Sequence, residues 1–340
     1  MSTEPRRVTK ATDWTAWENQ VVNGLYPLRR FLAASRHSVV FLTDCEAKGL
    51  SDVAIKLVPA DAPRAEMQLA QWQAAATLPH PHLIRLFDAG RCQLGSRSFL
   101  YVVMEHADQT LAQILARRAL TPDEVREMLP PILAALGYLH GKQRVHGHLK
   151  PTNIFAVGDQ LKLSSDTIRP TGQAPGGVVR TSLYDPPELS TGIVSTTGDI
   201  WALGMTLVEA LSQRTWKGAR GQGETTTSLL ASLPPPFQDT ARRCLSRSPS
   251  DRPTVAELEA QYAPPAPDEL LSVEVVSVAQ PQASEASSGS EASRRSQDRA
   301  VMESGADPEA SRNLSLTRLS LRAIVLALLL FLGMWAILRS

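Results

Sequence analysis

The β-prone runs of this chain crowd into its first third and the helical patterns follow them, a segregation that governs what it can fold into. Val39-Val40-Phe41-Leu42, Val53-Ala54-Ile55-Lys56-Leu57 and Phe99-Leu100-Tyr101-Val102-Val103-Met104 are short β-branched or aromatic runs bounded by turn residues, as strands are. Helical spacing begins at Thr121-Pro122-Asp123-Glu124, a capping box with proline at the first helical position. Behind it Val125, Met128, Leu129, Ile132, Leu133, Leu136 and Leu139 recur on one face. The prolines at 130 and 131 each lack an amide, which predicts a kink or a split there. A second apolar helix is expected from Asp199 to Leu211, and Thr254-Val255-Ala256-Glu257 opens a last one with another capping box. No internal repeat is apparent. Strands first and helices later predict an α+β chain of two lobes, a small β-rich one and a larger helical one.

Composition shifts near Ala263 and near Leu319, so the 340 residues divide into an N-terminal extension (1–24), one domain (25–262), a linker (263–318) and an apolar segment (319–338). Lys+Arg total 35 and Asp+Glu 34, which leaves no basic excess to neutralise nucleic-acid phosphates, so no nucleic-acid partner is expected. Cys45, Cys92 and Cys244 are odd in number and far apart, which fits neither a disulfide framework nor a zinc site and points to a reducing compartment. The polar opening has no apolar run behind its charges, as a signal peptide would.

The linker is rich in Ser, Ala, Glu and Pro and poor in aromatics, so it reads as a disordered tether. Its exception, Leu-Leu-Ser-Val-Glu-Val-Val-Ser-Val at 270–278, could add a strand or dock on the domain, or remain a transient β-prone stretch. Residues 323–338 carry no charge, and a helix of that length spans about 24 Å. Leu319 and Leu321 extend it and Arg322 can snorkel, so 319–338 is read as a single membrane helix in contact with lipid. Arg312, Arg318 and Arg322 precede it and Arg339 follows, a bias that leaves the N-terminal domain in the cytoplasm, anchored at its C-terminal side.

Five short motifs occur in one order: Val53-Ala54-Ile55-Lys56, His146-Gly147-His148-Leu149-Lys150-Pro151-Thr152-Asn153, Pro186-Pro187-Glu188, Asp199-Ile200-Trp201-Ala202-Leu203-Gly204 and Asp251-Arg252-Pro253. In order and spacing the series resembles the eukaryotic-type protein kinases over about residues 25–262, and with the tether and apolar segment the chain is similar to bacterial membrane-bound serine/threonine kinases. The resemblance implies a bilobal protein-kinase fold with ATP and Mg2+ between the lobes. It implies nucleotide contacts at Lys56, at Glu105 and Ala107 of a hinge, and at Asn153; metal ligands at Asn153 and Asp166; catalytic-loop positions at His148 and Lys150; and structural roles for Glu188, Asp199 and Arg252.

The chemistry looks eroded where the scaffold does not. The family's glycine-rich loop falls on Ala33-Ala34-Ser35-Arg36-His37-Ser38, which holds no glycine. The glutamate that should pair with Lys56 falls near Gln71, while the nearest acid, Glu66, lies on another helical face. The family's Arg and catalytic Asp become Gly147 and His148, which removes the arginine that reads an activation-loop phosphate. His148 could serve as a base or simply satisfy loop backbone. The magnesium-binding Asp position falls on Ser165 by strand alignment or on Asp166 by counting from Asn153. ATP and Mg2+ are therefore expected to bind weakly. The leading expectation is a pseudokinase that regulates or scaffolds protein partners in signalling. A degenerate but active serine/threonine kinase and an ATP-binding switch are the alternatives.

Overall fold

Along one early strand the burial alternates strictly, with Val39, Phe41, Thr43 and Cys45 inward and the residues between them half-exposed, the signature of a sheet covered on one face. A computed structural model of the chain describes residues 14–35, 37–60, 64–173, 182–214 and 226–263. The expected membrane helix at 319–338 and the linker beyond residue 263 lie outside the described residues. Among the described residues no helix is long and apolar enough to cross a membrane.

A hairpin of β1 (Val21–Val22) and β2 (Tyr26–Pro27) precedes an antiparallel sheet of β3 (Arg30–Ala34), β4 (Val39–Cys45), β5 (Leu50–Pro59), β6 (Leu86–Leu94) and β7 (Arg97–Glu105), in the spatial order β3-β4-β5-β7-β6. The three expected strands are its middle. Helix α1 (Arg64–Ala75) packs on β6 and β7. Residues 14–24, assigned from sequence to an extension, pack onto this sheet: Val22 is fully buried, and Trp17 meets Phe99 edge-on at 5.2 Å.

The chain then turns helical. In order follow β8 (Gln109–Thr110), α2 (Leu111–Leu115), α3 (Pro122–Gly141), β9 (Arg144–Val145), β10 (Ile154–Val157), β11 (Gln160–Leu163), β12 (Arg169–Pro170), α4 (Thr196–Ser212), α5 (Thr226–Ala231), α6 (Phe237–Cys244) and α7 (Val255–Tyr262). Both expected capping boxes are formed, Thr121 with Glu124 and Thr254 with Glu257. Helix α4 begins three residues earlier than expected because Ser195 caps it by accepting from the Gly198 amide.

Pro130 and Pro131 do not split α3, which runs unbroken through both. Each interior proline costs a helix about 3 kcal/mol, but burial of a Leu, Ile, Val or Met is worth about 1.5–3 kcal/mol. The seven large apolar residues on the buried face of α3 straddle the prolines and hold both halves in one core. That core is shared with Trp72 of α1, Leu100 and Val102 of β7 and Leu203 and Leu207 of α4. At the α4/α6 crossing a Cβ on Gly204 would stand 2.7 Å from that of Cys244, so only glycine permits the approach.

One ion pair fastens the 182–195 segment to the helices. Both terminal nitrogens of Arg252 donate to the Glu188 carboxylate, at 2.5 and 2.8 Å. The same guanidinium donates to the carbonyls of Thr197 (3.0 Å) and Ser246 (2.9 Å) and lies over the Trp201 ring. Arg252 is 5% exposed. Arg252→Ala should therefore cost about 3–5 kcal/mol, read as a lowered urea midpoint, because it removes a two-bond partner of the Glu188 carboxylate and the donor to two carbonyls together.

Candidate functional site

Past β11 the chain bends at Ser165 and turns at Asp166-Thr167, and its side chains part to opposite sides. Ser164 and Asp166 point into the cleft, while the Ser165 hydroxyl donates the other way, to the Ile84 carbonyl at 2.5 Å. That geometry places Asp166, not Ser165, before Lys56 of β5. Lys56 Nζ lies 2.5 Å from Asp166 Oδ2, and the Ser164 hydroxyl donates to Oδ1. Burial alone would raise the Asp166 carboxyl; the charge and hydrogen bond of Lys56, with the Ser164 bond, outweigh it and hold the group below the usual carboxylate range.

Helix α1 contributes backbone support here in place of an acid. The Trp72 indole N–H donates to the Asp166 carbonyl at 2.9 Å, and Gln68 reaches the same carbonyl at 3.5 Å. Gln71 turns instead to Gln173 (3.0 Å), and Glu66 pairs with Arg91. No acid of α1 pairs with Lys56 among the described residues.

The turn between β3 and β4 is closed by its own serine. Ser35 Oγ accepts from the amides of His37 (3.2 Å) and Ser38 (3.1 Å), and the Ser35 amide donates to the Ser38 carbonyl at 2.8 Å. Among the described residues of this turn, the amides of Ser35, His37 and Ser38 are thus already bonded where a glycine-rich loop would cradle a phosphate, and the missing glycines restrict re-aiming them.

Below the cleft, Asp199 holds the loop that follows β9. It is 1% exposed and accepts from the amides of His146 (2.9 Å) and Gly147 (2.8 Å) and, at 2.9 Å, contacts His140 Nε2. His148 is half-buried on this loop. Desolvation, then the positive charge of Lys150, pulls its imidazole down to about 3. Burial and nearby Lys56 also lower the Lys150 ammonium. Asn153 Nδ2 donates to the His148 carbonyl at 2.7 Å, which orients the side chain and turns its Oδ1 away from that bond.

These positions test the fit of the expected ligands. A triphosphate would find Lys56, but the amides of Ser35, His37 and Ser38 are already bonded within their own turn. A Mg2+ ion would find Asp166 with both oxygens engaged, one by Lys56 and one by Ser164, and a single neutral amide at Asn153. The donor set does not preform a magnesium site. At the hinge, the Glu105 carboxylate is spent on Lys162 (2.6 Å) and on the Arg85 amide (3.2 Å), so only its main chain could meet a base. No hydrogen bond to the Ala107 amide occurs among the described residues.

Sequence reasoning missed Trp72, Ser164 and Ser35. Trp72 acts on a backbone carbonyl across the fold, which no local spacing signals; Ser164 acts two residues along the chain, on a carboxylate whose direction the turn decides; Ser35 was visible as a serine in a glycine position, although not as the acceptor that closes the turn.

The Lys56–Asp166 pair has a pH signature. A carboxyl whose folded pKa is depressed stabilises fully above its unfolded value of about 4 and loses that contribution as pH falls through the folded one. The stability gap between the wild-type chain and Asp166→Asn, from urea titrations, should be constant from pH 5 to 7 and close progressively below about pH 4.

The protein kinase domain family model matches residues 37–262. A probable serine/threonine-protein kinase of Streptomyces coelicolor is 33% identical over 177 residues, 48% of this chain and 26% of that protein. Serine/threonine-protein kinase PrkC of Bacillus subtilis is 28% identical over 209 residues, 57% and 31% of the two chains. Serine/threonine-protein kinase PknB of Mycobacterium tuberculosis is 28% identical over 180 residues, 47% and 28%. The chain spans less than a third of the length of each of these relatives. With the family model covering well over half of the chain, and the motif order and cleft geometry in agreement with it, this chain belongs to the eukaryotic-type protein kinase family.

Proposed function

We propose that this chain is a membrane-tethered pseudokinase, whose kinase-shaped domain regulates or scaffolds protein partners in a signalling pathway. The observation that carries the reading is His148. Phosphotransfer to a hydroxyl needs a group beside it that accepts its proton, and a base works best with a pKa near the working pH. An imidazole drawn down to about 3 stays neutral at physiological pH and, unlike the aspartate the family has there, carries no fixed negative charge to hold the hydroxyl and draw off its proton. The closed Ser35 turn and the absence of an acid from α1 at Lys56 support the same reading. The scaffold contacts, Glu188 with Arg252 and Asp199 with the loop amides, keep the surface that partners would meet.

A second reading is favoured by one observation: Lys56 and Asp166 still meet in the cleft, and Asn153 is retained on the adjoining loop, where its carbonyl accepts from the Ser164 amide. Those three groups suit a nucleotide-binding switch or a slow serine/threonine kinase, the activity that the names of the relatives above carry. The membrane tether rests on the uncharged run at 323–338, with the domain on the cytoplasmic side.

Two measurements separate these readings. In a thermal-shift titration of the full chain in detergent, millimolar ATP with Mg2+ should raise Tm by less than about 1 °C, since stabilisation follows RT ln(1 + [L]/Kd) and vanishes when Kd exceeds the ligand concentration. A rise that grows with ATP and disappears in Lys56→Ala would establish the switch, and transfer of the γ-phosphate abolished by the same change would establish a kinase. For the tether, a chain ending at residue 318 should leave the membrane fraction, while the full chain stays in it through a carbonate wash.

A further inference from the structure

Strand β12 pairs antiparallel with β9, with Arg169 opposite Val145, and this lays the Arg169 side chain across the backbone of Gly147. A Cβ on Gly147 would stand 3.2 Å from Arg169 Nε and 3.5 Å from its Cδ. Gly147 has φ +70°, so a side chain there is opposed both by the arginine and by its own backbone. The space beside the loop backbone at 147, the position of the family's lost arginine, is filled by an arginine that comes from the opposite strand.

Its surroundings are acidic. Burial lowers the Arg169 guanidinium, and the carboxylates of Asp199 and Asp185 draw it back up. Asp199 already accepts two backbone amides and contacts His140, so Arg169 acts on it through charge. Asp185 accepts from the Ser182 amide at 2.5 Å and belongs to the segment that leads to Pro186-Pro187-Glu188. Arg169 Nε donates to the Thr167 carbonyl at 3.3 Å, which ties the guanidinium to the residues just after Asp166. Without Arg169, nearly fully buried Asp199 would keep only its two amides and His140, and half-buried Asp185 would keep Lys150 as its cation, a loss that is costly because a buried carboxylate is tolerated only when compensated.

We propose that Arg169 is a positioning residue that supplies, from the segment after Asp166, the cation the catalytic loop lost at Gly147, and so holds that segment against the loop without any phosphate on the chain. The charge has changed strands and kept its place. In an arrangement that reads a phosphate, the segment is ordered only after modification; here the counter-ions, Asp185 and Asp199, are built in. The inference does not depend on whether the chain transfers phosphate.

The test compares the full chain with Arg169→Ala, Arg169→Lys, Gly147→Ala and the Arg169→Ala/Gly147→Ala double variant, by Tm and by hydrogen exchange of peptides covering residues 144–149 and 166–171. Arg169→Ala should speed exchange in both peptides about tenfold, while Arg169→Lys, which keeps the charge, should stay within about threefold of wild type. Gly147→Ala should lower Tm more in the wild-type background than beside Arg169→Ala, because only the former adds the clash with the guanidinium to the strain of the positive φ. Phosphatase treatment of the wild-type chain should leave both peptides unchanged. Strict additivity of the two Tm losses, equal loosening by Lys and Ala at 169, or loosening on dephosphorylation would each overturn the proposal.

Discussion

The Asp199 carboxylate, almost completely shielded from water, is the contact on which the site depends. An ionised carboxylate in such a place is costly unless its oxygens are filled, and here two loop amides and an imidazole fill them. The bonds run to backbone N–H groups, which every residue but proline carries. The Asp199 bonds to the loop after β9 are therefore kept although His148 and Gly147 stand where the family has an acid and an arginine. Glu188 and Arg252 do the same for the segment that follows, again partly through main-chain carbonyls.

Side-chain chemistry in the cleft has no such protection. With no acid on α1 to share it, Lys56 closes on Asp166, and the carboxylate that would hold a metal becomes the partner of the lysine that would hold a phosphate. Trp72 then fixes the Asp166 backbone from α1, a neutral contact where the family has an ionic one. The result is a cleft satisfied from within. A ligand would have to compete with an ion pair, a serine turn and the Ser164 hydrogen bond to Asp166, and its gain would be reduced by each one it displaced.

Much of the fold was legible because it rests on periodicity and on local hydrogen bonds. The β-branched and aromatic run at 39–42, the Thr121/Glu124 and Thr254/Glu257 boxes and the apolar stripe of α3 each report a short-range preference that tertiary packing then reinforced. The prolines of α3 show the limit of the same reasoning. Their local penalty was read correctly, but the burial that exceeds it comes from β7, α1 and α4, none of which is near in sequence. Residues 14–24 looked like an extension for a related reason: two tryptophans in a polar stretch reveal nothing until Phe99 is placed beside one of them.

By itself the sequence determined the order of strands and helices, the family, and the loss of glycines, of the α1 acid and of the catalytic carboxylate, since each is a matter of residue identity at a given spacing. Only the tertiary structure decided which of Ser165 and Asp166 faces Lys56, what replaced the missing α1 acid, and that Arg169 lies against Gly147. Those outcomes depend on the direction of side chains leaving a strand and on contacts between residues about 20 to 110 positions apart. A one-dimensional pattern shows which groups are present; where a charge finds its partner depends on the packing that brings distant strands and helices together.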